Sequence, residues 1–209
     1  MTPHYSDTVS TSERAPAAAT RETILAAATA LFGDLDYPAT SIRDIARAVD
    51  MLPGSIYAYV ESKEAILYEI VSTGIDRFVS AVESIDPATA PDERLEQAIR
   101  AHIDIVAENP QRALVVFHQW RYLGDESRAQ VIAARRRYEE FFRTTIREGA
   151  ETQVFRPDLD VRYATLTVLG ALNWAPEWIH ADDPARADSG RKLADILLAG
   201  LRPFDENAP

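Results

Sequence analysis

Between Thr40 and Lys63 the chain gathers side chains suited to holding phosphate. They are the hydroxyls of Thr40, Ser55, Tyr57 and Tyr59, the cations of Arg43 and Lys63, and the run Leu52-Pro53-Gly54-Ser55. Pro suits the first turn of a helix, while Gly and Ser let backbone N–H groups approach a phosphate closely. Elsewhere reactive chemistry is sparse. The sequence has no cysteine and only four histidines, so neither a disulfide nor a thiolate metal site is available. It contains no glycine-rich phosphate loop and no nucleophile elbow. Neither an enzyme nor a bound cofactor or metal is expected.

Helices must position these groups, because the apolar residues recur at helical spacing and no run alternates like a strand. Thr20 is placed to cap a first helix carrying Ile24, Leu25, Ala28, Leu31 and Phe32, which Gly33 and the residues to Pro38 end. Ser41 opens a second, with Asp44 completing a capping box and Ile42, Ile45, Ala46 and Val49 facing inward. Asp50 to Pro53 is a turn, and Gly54 to Val60 a third short helix. Ser62 caps a longer one from Lys63 to about Ile85, striped by Leu67, Ile70, Val71, Ile75, Phe78 and Val82. The double-proline stretch 86–91 breaks the pattern. Further helices are expected at about 92–108, 110–123, 126–150, 159–175 and 185–201. The fold class is therefore all-α. The chain divides into a polar, disordered arm (1–19), a three-helix helix-turn-helix domain (20–68), a larger helical body for ligand binding and dimerisation (69–203) and a tail (204–209).

Nothing in the 209 residues has the length and apolar content of a membrane span. The longest apolar stretch, Ala164 to Pro176, reads as a buried helix, and a cytoplasmic protein is expected. The net charge of −11 disfavours promiscuous binding to polyanions. Residues 1–70 carry five basic side chains (Arg14, Arg21, Arg43, Arg47, Lys63) against ten acidic ones, a net −5. A nucleic-acid site here must lean on hydroxyls and helix N-termini, with low non-specific affinity and a shallow salt dependence.

Two short amphipathic helices joined by a tight turn meet the physical requirement of a helix-turn-helix. The first crosses the second and holds it where it can enter a major groove about 12 Å wide. Over Ala39-Thr40-Ser41, Asp44-Ile45-Ala46, Pro53-Gly54-Ser55-Ile56-Tyr57, Tyr59 and Ser62-Lys63-Glu64 the chain resembles the TetR family of regulators. The resemblance implies a homodimeric repressor that binds a palindromic double-stranded DNA operator and is released by a small hydrophobic ligand. It makes Thr40, Tyr59 and Lys63 phosphate contacts and sets Leu52, Pro53, Gly54, Ser55 and Tyr57 on or beside the recognition helix. Arg43 would reach a base edge or a phosphate. Three positions depart from the pattern: Asp50 stands at the usual turn glycine, Ala58 at a bulkier polar residue and Val60 at a phenylalanine. Asp tolerates a left-handed turn better than most residues.

The run from Val161 to Ala175 is apolar nearly all round, and such a helix must be covered on every side. A second subunit is the natural cover, through helices at about 159–175 and 185–201. The stretch Val154 to Asp160, with Gly170 to Trp174 and Trp178, resembles the acyl-CoA-sensing branch of the family. Pro176 and Glu177 stand where that branch tends to carry an aromatic and an arginine. Candidate ligand contacts are Ile103, Val106, Phe117, Trp120, Arg121, Phe141, Phe142, Asn173, Trp174, Glu177 and Trp178, about a third of which should touch a ligand. The run Arg135-Arg136-Arg137 reads either as an anion attractor or as a solvated face, with Arg121 the better anion site. Two alternatives stay open: a repressor sensing hydrophobic cations, which Glu177 would suit, and an interaction protein that has kept the fold and lost DNA binding.

Overall fold

The computed structural model describes residues 17–179 and 186–203. Most of the expected arm (1–16) and the tail (204–209) lie outside the described residues. The helices are α1 (Ala17–Leu35), α2 (Ile42–Ala48), α3 (Pro53–Ile56), α4 (Lys63–Glu83), α5 (Pro91–Glu108), α6 (Pro110–Leu114), α7 (Asp125–Glu151), α8 (Val161–Trp174) and α9 (Arg186–Leu201). No strand occurs among the described residues.

Local chemistry explains the helix starts. The Ser41 Oγ accepts from the Asp44 N–H, and the Asp44 carboxylate accepts from the Ser41 N–H, closing the expected box on α2. Ser62 caps α4 through the Ala65 N–H, and Asp160 caps α8 through the Tyr163 N–H. At α1 the expectation is corrected. The helix begins at Ala17, so Thr20 lies inside it, and Gly33 does not end it. Alanine is the strongest helix former, and Ala17 to Ala19 extend the helix backwards. Gly33 instead permits close packing, since a Cβ there would come within 2.9 Å of the Gln111 Cβ. The helix stops where Asp36 adopts a left-handed φ of 66°. Asp50 likewise takes a φ of 52°, so the turn before α3 survives without glycine. Helix α3 is shorter than expected, and its path continues to Val60 as turns accepted by Ser55 and Ile56 carbonyls.

The expected helix over 110–123 is also corrected. After α6 the chain widens into a π turn (Val115–Gln119) and tightens into a 3-10 turn (Trp120–Tyr122). Val115, Val116, Phe117 and Gln119 are all buried, more than one face of a regular helix can bury against one partner. The segment manages it by lying between two cores. Val115 joins Ile24, Phe32, Ile45, Ile56 and Leu67, whereas Val116 and Phe117 join Phe78, Ile99, Phe142 and Leu172. Each fully buried Leu, Ile or Phe contributes ~1.5–3 kcal/mol relative to exposure.

Helix α4 serves both cores, with Ile66 to Val71 in the first and Ile75 to Val82 in the second. The expected division at 68/69 falls within this helix, in its first half. Between these two sets Gly74 lets α4 close on the π turn, where a Cβ would meet Val116 Cγ2 at 2.3 Å. Pro176 sits in a 3-10 turn (Ala175–Glu177) just beyond α8, where the proline ring and missing N–H disfavour continuation of the helix.

Candidate functional site

Helices α2 and α3 form a surface that is apolar beneath and open above. Ile45, Ala46 and Ile56 are fully buried, anchoring both helices on α1 and α4. Above them Arg43, Pro53, Gly54 and Ser55 are exposed, with Leu52 76% and Tyr57 57% accessible. Tyr57 therefore presents its ring to solvent, while Tyr59 is half-buried against the core. Val60 fills its core position with little exposure.

Thr40 and Lys63 are placed differently from the phosphate contacts expected of them. Thr40 is only 1% exposed, and its hydroxyl lies within hydrogen-bond reach of the Leu31 and Asp36 carbonyls. The Lys63 ammonium donates to the Tyr37 and Thr40 carbonyls, both at 2.8 Å, and lies 4.0 Å above the Tyr37 ring. Burial pulls its pKa below the usual lysine value. A helix C-terminus leaves carbonyls without partners; these two side chains are drawn to carbonyls in the last turns of α1 and in the residues that follow it.

The same turn is gripped from the body. Gln119, 3% exposed, donates from Nε2 to the Phe32 carbonyl at 2.6 Å and accepts the Tyr37 N–H at 2.7 Å. The Tyr37 ring stacks on Tyr122 at 5.8 Å, and Glu64 accepts the Gly124 N–H at 2.8 Å. Sequence reading singled out none of Gln119, Tyr122 or Gly124. The available signal was one amide inside the run Val115-Val116-Phe117-His118-Gln119-Trp120.

In the body, a cavity of about 250 Å³ opens between α4, the π turn, α7 and α8. Of the expected ligand contacts it brings together Phe117 and Asn173, and adds Arg135, Tyr138, Glu139 and Leu166. Ile103, Val106 and Phe142 are instead fully buried core, and half-buried Phe141 packs against them. Trp120 turns toward the first core, with the Arg135 guanidinium 5.3 Å from its ring. Arg121 is exposed and donates from Nε to the His118 carbonyl, so the arginine at the cavity is Arg135. Trp174, Glu177 and Trp178 are exposed, and Glu177 lies 3.8 Å from His118 Nε2. Of the arginine run, Arg136 is exposed and Arg137 pairs with Glu83.

Beside the cavity, His102 donates from Nε2 to the Leu172 carbonyl at 3.0 Å. Its Nδ1 then accepts from the Tyr138 hydroxyl at 2.7 Å. Burial drives the His102 pKa down to about 3, against the Leu172 hydrogen bond, and pushes the Tyr138 hydroxyl upward. The imidazole is neutral, with both nitrogens engaged. Glu177 and His180 have the i, i+3 spacing of half a carboxylate–histidine metal site, but His180 lies outside the described residues. No group of three ligating side chains occurs among the described ones.

Outside the cavity, α8 and α9 leave an apolar surface. Tyr163, Trp174 (60%) and Ile196 (70%) are exposed, Leu166 is exposed at the cavity rim, and a groove of about 430 Å³ runs between Tyr163 and Ile196.

Comparison with known proteins agrees with this arrangement. Residues 24–70 match the family described as bacterial regulatory proteins, tetR family, and residues 88–201 match the tetracyclin repressor-like C-terminal domain. The HTH-type transcriptional repressor KstR2 of Mycolicibacterium smegmatis is 26% identical, over 88% of this chain and 91% of its own. Among solved structures, PfmR of Thermus thermophilus, a TetR family transcriptional regulator, superposes with a TM-score of 0.77. It is 35% identical and covers 86% of this chain and 99% of its own. AibR in complex with isovaleryl coenzyme A and operator DNA has a TM-score of 0.75 at 26% identity, covering 88% and 100%.

Proposed function

The chain belongs to the TetR family of DNA-binding transcriptional repressors, and from that premise we propose that it binds a palindromic operator as a homodimer and releases it when a small acyl thioester of coenzyme A occupies the body. The observation that carries the DNA half is the exposed α3 face, with Leu52 and Tyr57 raised over a buried Ile56. Paired recognition helices need half-sites about 34 Å apart, and the exposed apolar stripe of α8 and α9 supports a two-fold pairing. Tyr59 and Arg43 supply phosphate or base contacts beside α3, while Thr40 and Lys63 hold the turn that presents it.

The effector half rests on the cavity between α4, α7 and α8. At ~30 Å³ for each water-sized volume, about 250 Å³ suits a short acyl group. The relative captured with isovaleryl coenzyme A and operator DNA supports the same pairing of functions. A hydrophobic cation finds less here: Glu139 is exposed at the rim, and Glu177 faces His118.

Selection of operator-length duplexes from a random pool tests the reading. It should return a two-fold palindrome, and isovaleryl coenzyme A should loosen its complex with the full chain. No enriched palindrome would favour an interaction protein, and release by hydrophobic cations alone would favour a drug-type sensor.

A further inference from the structure

Arg135 is the one cation among the described residues lining the α4–α7–α8 cavity. It is half-buried, and no described carboxylate pairs with it within 4 Å, whereas Arg137 and Arg143 on the same helix have partners. Among the described residues no acceptor takes a hydrogen bond from its guanidinium; it lies 5.3 Å from the Trp120 ring, in the field of Glu139, and itself disfavours the charged form of His118. Burial lowers its pKa against that field. A guanidinium carries five donors in a planar fork matched to carboxylate or phosphate oxygens. Leaving such a group partly desolvated and unpaired costs folding energy, and an anion arriving in the cavity offsets that cost. Asn173 and Phe117 complete a wall with one polar contact and apolar surface around it.

We propose that Arg135 is an anion-recognition point inside this cavity, so that the effector is an apolar molecule bearing an acidic group that pairs with the guanidinium. This rests on the effector reading above and narrows it. The acidic group is either a carboxylate on the acyl body or a phosphate of its carrier, and both chemistries fit the same fork.

The test compares the full chain with R135Q and R135M, using octanoate, octanoyl coenzyme A, octanamide and octyltrimethylammonium as probes. Binding is followed calorimetrically, and operator affinity is measured on every variant as a control. An anionic probe should bind the native chain more tightly than octanamide, and R135Q should weaken it about tenfold or more. Binding of octanamide should be unchanged by R135Q. Preference for octanoate assigns the contact to a carboxylate; preference for the thioester assigns it to the carrier's phosphates. Equal binding of charged and neutral probes, or tighter binding of the ammonium, overturns the proposal. So does an anion affinity that R135Q leaves intact. A native chain that binds its operator but ignores all four probes overturns it too, while leaving the DNA-binding reading standing. R135M gives a readout that needs no ligand. An unpaired guanidinium kept for binding predicts a melting temperature equal to or above the native one, and a clear drop would make Arg135 a structural residue.

Discussion

His102 links Tyr138, at the cavity wall, to the α8 backbone through both imidazole nitrogens, and its neutrality has a consequence for stability. The folded pKa of about 3 lies below the ordinary value of 6.5, so between them the unfolded chain binds a proton that the folded chain does not. Its contribution is complete above about pH 6.5 and is lost as pH falls toward 3. At pH 5 the loss from this one group is about 2 kcal/mol. H102Q keeps a donor for Leu172 and an acceptor for Tyr138 without the titration. Denaturant unfolding should show the gap between native and variant closing by about that amount from pH 7 to pH 5. Parallel curves would mean that the imidazole is not buried neutral. Lys63 offers a second test at this scale. A lysine on a DNA phosphate contributes roughly one unit to the slope of log affinity against log salt. Lys63 instead holds the Tyr37 and Thr40 carbonyls. K63M should therefore lower both melting temperature and operator affinity and leave the salt slope unchanged; a slope reduced by about one would return Lys63 to the phosphates.

The π turn is the element through which body and DNA-binding helices share a boundary. Phe117 lines the cavity, and two residues later Gln119 clamps the turn between α1 and α2. Q119L keeps the volume and removes the amide, stranding the half-buried Tyr37 N–H at a cost of about 1–3 kcal/mol, while the Phe32 carbonyl keeps the Asp36 N–H. Hydrogen exchange should show the Tyr37 amide losing protection while α5 and α9 amides keep theirs. Unchanged exchange at Tyr37 would mean that another contact carries the junction. The contrast between α2 and this turn shows what the sequence could disclose. The Ser41–Asp44 box spans three residues and the α4 cap three more, so both are readable from spacing. Gln119 and Phe32 are 87 residues apart, and no local pattern marks such a pair. The same holds for Thr40 and Lys63, whose types suit a phosphate but whose surroundings direct them to carbonyls. For the ligand contacts, helical periodicity identified which residues turn inward without saying which inward residues border space. Periodicity alone therefore groups Ile103 and Phe142 with Phe117, and sets Arg135 within a charge run whose other two members are exposed or paired.

For the whole molecule, the proposed dimerisation would supply what the charge withholds. The chain carries a net −11, and its first 70 residues hold twice as many acids as bases, so one subunit gains little from the phosphate field. Joining two recognition surfaces makes the second contact intramolecular, which raises affinity by ~10²–10⁴ without any new contact. The face available for this is the exposed α8 and α9 surface carrying Tyr163 and Ile196. Large apolar side chains clustered on one surface mark an interaction site rather than solvent-facing decoration. Both helices are anchored from behind by Val168, Leu172, Ala194 and Leu198, so acidic residues on the outer face should spare the fold of the subunit. A chain carrying both Y163D and I196D is expected to sediment as a monomer with native helical content, and to lose about a hundredfold or more in operator affinity. If the double variant stays dimeric, the two-fold interface lies elsewhere. If it becomes monomeric yet binds the operator as tightly as before, affinity resides in a single helix-turn-helix, and the acidic surroundings of α2 and α3 matter less than their charge implies.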